Sequence, residues 1–158
     1  MTTPRVNAAV PSLLDRLISQ PSGVEVGSIR PGSFRELRLS VERDLNALLN
    51  TRRETDLIPA EFQASATSLL NYGLPDISSY SLGADSQGLR RDIETAIRAY
   101  EPRLSGLTVT VEDWDRLSPV LKFHVRATLR VGPVSEAVTF NTMLQADLRT
   151  ISVKARAT

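Results

Sequence analysis

Glu101, Asp113 and Asp115 are the carboxylates whose spacing could do chemistry. A pair of carboxyls across a cleft, one protonated and one ionised, can cleave a glycosidic bond. The residues around Glu101 do not favour the protonated member. Arg103 stands two positions on, and a neighbouring cation lowers a carboxyl pKa, the wrong direction for a general acid at neutral pH. Asp113-Trp114-Asp115 reads as a turn between two strand patterns, where Trp114 can serve as a packing plug or as a binding platform. A peptidoglycan-cleaving enzyme is therefore the alternative that these carboxylates leave open, not the primary reading. His124 is the single histidine and falls between Lys122 and Arg126 on the polar side of an alternating stretch, so it reads as a surface residue. It has no second histidine for a zinc pair and no nearby serine nucleophile. The chain holds no cysteine, which excludes disulfides, thiol catalysis and thiolate metal sites. The segment GADSQG (83–88) has neither the lysine nor the spacing of a phosphate loop. The expectation is no catalytic residue, no metal and no cofactor.

A different triplet stands out. Glu101-Pro102-Arg103 sits where a helical pattern stops and a strand pattern begins. A carboxylate at a helix C-terminus is disfavoured by about 0.3–1 kcal/mol, and Pro102 forbids the helix to continue. Something has to offset the misplaced charge. One reading is local: Glu101 pairs with Arg103 or caps a backbone group. The other is recognition, with Pro102 fixing a bend that projects Glu101 and Arg103 apart, and Arg103 offering its rigid fork to a partner.

The elements that must position this corner follow from periodicity. Residues 1–32 read as a flexible arm with a short amphipathic segment at 12–19, on which Leu13, Leu14, Leu17 and Ile18 share a face. Eight residues do not hold a helix alone in water, so this segment docks either on its own domain or on a partner. Residues 33–158 read as one domain. Ser33 with Glu36 forms a capping-box pattern for a helix over 34–50, with Leu37, Val41, Leu45, Leu48 and Leu49 inward and Arg38, Glu42, Arg43 and Asn46 on the other face. Asn50 is a candidate for the left-handed position that ends it. A second helix is expected over 59–73, with Phe62, Ala66, Leu69 and Leu70 inward, and a third from Asp85 or Ser86, with Leu89, Ile93, Ala96, Ile97 and Tyr100 on one face.

After Pro102 the period becomes two. Leu107, Val109 and Val111 begin a first strand, and residues 120–131 are the clearest strand, with Leu121, Phe123, Val125, Ala127, Leu129 and Val131 on one side. Val134, Val138 and Phe140 mark a third, and Leu148, Ile151 and Val153 a fourth whose phase slip calls for a bulge or a late start. Helices first and strands after predict an α+β fold, the helices packed on one face of a C-terminal antiparallel sheet of three to four strands.

The bulk numbers agree with a single small domain. The chain has 158 residues, 41% of them hydrophobic, and a net charge of +1. That near-neutrality gives no general pull towards nucleic acid. No apolar run approaches the roughly 20 residues of a membrane helix, and the N-terminus lacks the apolar core of a signal peptide. The expectation is a cytoplasmic protein with no membrane insertion.

Four segments, SLLDRL near the start, VERDLNALLNTRR (41–53), SLLNYGLPD (68–76) and IRAYEPRLSGLTV (97–109), occur in that order. Together they resemble the TssE family, the small baseplate subunit of bacterial type VI secretion systems. That family is itself similar to the wedge protein of contractile phage tails once labelled lysozyme-like. The resemblance implies no catalysis. It implies a baseplate docked at the bacterial inner membrane, with the wedge proteins TssF and TssG as partners, other baseplate subunits such as TssK nearby, and the sheath proteins TssB and TssC assembling onto the sheet. It makes Glu101, Pro102 and Arg103 the wedge-contacting motif, with Tyr100 where such proteins often have Phe. Leu13, Leu14 and Leu17 become anchors on a baseplate neighbour. The last strand, with Ile151, Ser152 and Val153, becomes the candidate edge for an added sheath strand, since small Thr150 and Ser152 leave room.

Overall fold

The structure is a computed structural model that describes residues 34–53, 68–80, 86–112, 120–131, 134–145, 147 and 149–156. Helix α1 runs Phe34–Asn50 and α2 runs Ser86–Tyr100. Four strands follow: β1 Leu104–Val111, β2 Val120–Val131, β3 Val134–Gln145 and β4 Thr150–Ala155. They form one antiparallel meander in the order β1-β2-β3-β4. Both helices pack on the same face, α1 towards β4 and α2 towards β1. This is the expected α+β layering.

Each element follows from its apolar spacing. On α1 the residues Leu37, Val41, Leu45, Leu48 and Leu49 are buried, and on α2 Leu89, Ile93, Ala96 and Ile97. From the sheet, Leu121, Phe123, Val125 and Leu129 of β2 meet Phe140 and Leu144 of β3 and Ile151 and Val153 of β4 in one core. A fully buried side chain of this size contributes about 1.5–3 kcal/mol, so the core dominates stability. The fourth strand starts late, at Thr150, after a turn in which Arg149 has φ of 50°. That turn accounts for the phase slip. Leu148 and Ser33 of the expected capping box lie outside the described residues, as does Trp114.

Two expectations need correction. Residues 59–67 lie outside the described residues, but Leu69 and Leu70 do not point inward. They sit in a 3-10 turn, Leu69–Asn71, and are 86% and 67% exposed. Leu74 is the buried hydrophobic side chain of this described stretch. The reason is Gly73, whose φ of 108° turns the chain back on the end of α1. There Leu74 N–H donates to Thr51 O at 2.9 Å and Arg53 N–H to Leu74 O at 2.7 Å. A Cβ on Gly73 would lie 2.2 Å from Thr51 O. The NTRR and YGLPD segments are therefore two halves of one clasp. Nor is Asn50 left-handed: among the described non-glycine residues only Arg149 has positive φ. The Asn50 side chain does something else.

Asn50 and its neighbours one and two turns back face the outer edge of β4. Asn50 Nδ2 donates to Ile151 O at 2.7 Å while Ile151 N–H donates to Asn50 Oδ1 at 2.8 Å. Asn46 repeats this with Val153 at 3.0 and 2.9 Å. Ala155 N–H donates to Glu42 Oε2 at 2.9 Å. Residues four apart lie on one helix face, so 42, 46 and 50 act as a substitute strand. The opposite edge receives a sparser version from α2: Val109 N–H donates to Glu94 Oε1 at 3.1 Å, and Arg98 Nη2 donates to Leu107 O at 3.3 Å.

These contacts set three expectations. Gly73→Ala combines backbone strain with a steric clash and lowers stability by at least about 1–3 kcal/mol, read from urea denaturation. Asn46→Ala leaves the Val153 N–H and C=O unmet and costs about 1–3 kcal/mol; sedimentation should show self-association through the uncovered edge. Thr142, 1% exposed on the core side of β3, has a hydroxyl with no hydrogen-bond partner among the described residues. Thr142→Val should therefore raise the melting temperature, since an unmet buried hydroxyl costs about 1–3 kcal/mol.

Candidate interaction surfaces: the Glu-Pro-Arg elbow and the sheet edges

The corner between α2 and β1 is built from the last helical hydrogen bond outward. Glu101 N–H donates to Ile97 O at 2.9 Å, and Leu104 N–H donates back to Glu101 O at 3.2 Å. Pro102 occupies the exposed apex. Glu101 is 3% exposed. Its Oε1 accepts from Arg103 Nε at 2.6 Å and from the Arg103 backbone N–H at 3.2 Å, and its Oε2 accepts from Arg103 Nη2. The guanidinium continues to α1, where Nη1 donates to Ser40 Oγ at 3.1 Å and Nη2 to Asp44 Oδ2 at 2.5 Å. Glu101 and Arg103 thus converge rather than diverge, which corrects the expected projection and bears out the local pairing. Charge-assisted hydrogen bonds contribute about 1.5–3 kcal/mol each, more than the dipole penalty on Glu101.

Burial pulls the Arg103 pKa down, but hydrogen bonds and charge from Glu101 and Asp44 more than reverse this and raise it. Arg103 is a permanent cation. Both Glu101 oxygens are held by it, so neither is presented to a substrate. Two tyrosines close the corner. Tyr72 and Tyr100 pack edge to face with ring centres 5.2 Å apart, and Tyr100 Oη donates to Ser68 O at 2.7 Å. Burial first, then the negative charges of Asp44 and Glu101, raise the Tyr72 pKa above 10.0. Burial also raises that of Tyr100, with Arg53 opposing.

The other singled-out residues are placed as follows. His124 lies on the outer face of β2, half-buried, with Nε2 2.6 Å from Glu112 Oε1 and Nδ1 3.0 Å from Asn141 Oδ1. That is the surface position expected. Asp113, Asp115, Leu13, Leu14 and Leu17 lie outside the described residues. Ile151 and Val153 are buried on β4, and the strand alternates its backbone: Ile151, Val153 and Ala155 face α1, while Arg156 N–H donates to Thr139 O of β3 at 2.8 Å. Ser152, between two outward-facing residues, therefore directs its backbone to β3. The outer edge of β4 is already met by α1. Sequence reasoning did not find this ladder, although polar residues at 42, 46 and 50, beside an apolar stripe, were its signal. Ser40 and Asp44, the α1 partners of Arg103, were also missed. A cavity of 110 Å³ lies between the end of α1, Leu74–Ile77 and Arg149, and Arg52 pairs with Asp76 at 3.0 Å beside it. No group of metal-ligating side chains occurs among the described residues, and no described helix is long and apolar enough to cross a membrane.

A one-sided four-stranded sheet, roofed by two helices and pinned at the α2–β1 corner by a buried ion network, defines a small α+β structural module. The family model for the baseplate wedge protein gp25 matches residues 35–134, from the first turn of α1 to the start of β3. The chain belongs to this baseplate wedge family, a structural component of contractile, phage-tail-like machines. The match includes Glu101, Pro102 and Arg103 but not β4 beyond it or the N-terminal leucines. Comparison with curated proteins gave no match.

The network sets two expectations. Arg103→Ala leaves Glu101 buried and unpaired and should cost about 3–5 kcal/mol, read from urea denaturation, with Arg103→Lys recovering only part because an ammonium cannot make the fork. Raised tyrosine pKa values mean that the folded state holds those protons longer than the unfolded chain. Their contribution is intact below the ordinary value of 10.0 and is lost as pH rises through the folded values. Stability should therefore fall above about pH 10, and Tyr72→Phe should flatten that fall in alkaline unfolding curves.

Proposed function

We propose that the protein is a TssE-like baseplate subunit of a type VI secretion system, without catalytic activity, that joins the baseplate wedge to the contractile sheath and helps to start sheath assembly. The observation that carries this is the wedge-family match, which spans both helices and the elbow. TssF and TssG are the proposed wedge partners, met at the exposed apex Pro102 and its supports Glu101 and Arg103, and by Leu13, Leu14 and Leu17 of the N-terminal segment. TssK is a neighbour in the same baseplate, and TssB and TssC form the sheath. The site of action is the cytoplasmic side of the bacterial inner membrane.

Sheath strand addition at Ile151, Ser152 and Val153 carries a condition. An incoming strand has to replace the Asn46 and Asn50 side chains, exchanging their hydrogen bonds for its own. The exchange is near neutral in hydrogen bonds, so it turns on the other contacts the strand brings.

Arg103→Ala tests stability before it tests binding. Leu13→Ala/Leu14→Ala/Leu17→Ala is the cleaner variant. Its capture of a co-expressed TssF–TssG pair should weaken by about tenfold or more, as for loss of a hot-spot cluster, with an unchanged melting temperature. Undiminished capture would remove the leucines from the interface; failure of the wild type to capture TssF–TssG would overturn the functional reading itself.

A further inference from the structure

Among the described residues no element covers the face of the sheet turned away from the helices, and its charge is one-sided. The register places Lys122, Arg126 and Arg130 of β2 on this face, with Lys154 of β4 opposite Asn141 and Arg156 beside Thr139. All five cations are exposed, and none pairs with a carboxylate among the described residues. Glu112, a carboxylate on the same face, is engaged by His124. A chain of net charge +1 thus concentrates positive charge on one flat surface.

Like charges on one sheet face raise its energy unless an anion is near, and they are spaced for an extended one. Lys122, Arg126 and Arg130 succeed each other at about 13 Å along the strand, and Thr108, Thr128, Thr139 and Asn141 lie between them with short polar side chains. A single phosphate would meet too few of these groups.

We infer that this open face is a docking surface for an acidic protein surface, recognised by Lys122, Arg126, Arg130, Lys154 and Arg156. A single-stranded nucleic acid is the poorer fit. It would need aromatic rings to stack on, and the described aromatics Phe34, Tyr72, Tyr80, Tyr100, Phe123 and Phe140 all belong to the core side. An anionic membrane is also a poorer fit, because the large apolar side chain exposed here is Met143 alone among the described residues, and stable surface binding needs more apolar area than one residue gives. Cations set among hydroxyls and an amide suit carboxylates, which accept from both. The inference stands apart from the identity of the wedge and sheath partners.

The test is titration of the ¹⁵N-labelled full chain with poly-L-glutamate, an oligo-dT of roughly 20 nucleotides, and phosphatidylglycerol-containing vesicles. Poly-L-glutamate should bind saturably and perturb the amides of β2 and β4. Affinity should fall steeply between about 50 and 200 mM salt. Lys122→Gln/Arg126→Gln/Arg130→Gln, all surface changes, should reduce it about tenfold while the melting temperature holds. Arg35→Gln/Arg38→Gln on the helix side should leave it unchanged. Tighter binding of oligo-dT or vesicles, perturbations centred on α1, absence of saturable binding, or an unaltered affinity in the triple variant would each overturn the inference.

Discussion

Glu101 and Arg103 decide how α2 hands the chain to the sheet. The carboxylate is at the wrong end of a helix and almost wholly out of water, and either fact alone would disfavour the corner. The guanidinium reverses both, because its fork meets the two carboxylate oxygens while its remaining donors reach Ser40 and Asp44 on α1. Pro102 matters here less as a breaker than as a spacer. It limits the turn so that residues two apart face the same point. A buried ion pair is weak evidence for net stability, since an apolar replacement can do as well. What the network adds is direction: α1, α2 and β1 meet in one relative orientation, because any other would strand a buried charge.

The same logic, in neutral form, governs the sheet edges. Exposed edge strands invite uncontrolled pairing, and proteins usually blunt them with charges, bulges or short strands. Here α1 supplies Glu42, Asn46 and Asn50 as a row of strand-like partners, and α2 supplies Glu94 and Arg98. A primary amide carries both a donor and an acceptor, so one asparagine can satisfy the N–H and C=O of a single residue. That explains why two asparagines occur at this spacing, where helix propensity alone would favour better formers. β1 is covered less completely. Its Gly106, with φ of 61°, accompanies a register shift between Ser105 and Thr108 that distorts the edge, a second way of discouraging pairing.

Legibility followed the range of the physics involved. Helices α1 and α2 and strand β2 could be read to within a residue because their burial is periodic, and periodicity is a local property. The break in phase between Leu148 and Ile151 announced either a bulge or a late start of β4, and the strand starts late, at Thr150. Leu69 and Leu70 mislead because a short helical apolar pattern implies burial, whereas Gly73 and the clasp on Thr51 select Leu74 instead. That selection depends on a contact more than twenty positions away. The pairing of Glu101 with Arg103 is one of two local possibilities their spacing offers, but Ser40 and Asp44 are invisible as partners, being about sixty residues distant. The asparagine ladder was hidden for a related reason: polar residues on a helix flank look solvated until the strand they serve has been placed.

With its edges met by side chains and the ions of the elbow paired inward, the described fold offers neighbours a limited set of contacts. A backbone edge can be reached only by exchange, in which an incoming strand displaces the helix side chains one for one. Exchange of that kind resists accidental aggregation, because a partner that fails to supply every replacement bond leaves a polar group unmet. The elbow presents Pro102 at its apex but keeps its charges turned inward, so contact there is made with a rigid shape more than with free ions. The open sheet face is different, since its cations pair with no carboxylate among the described residues. Long-range attraction and orientation belong to such a surface, while the edge, once the encounter is made, can supply the close-range discrimination of a completed hydrogen-bond ladder.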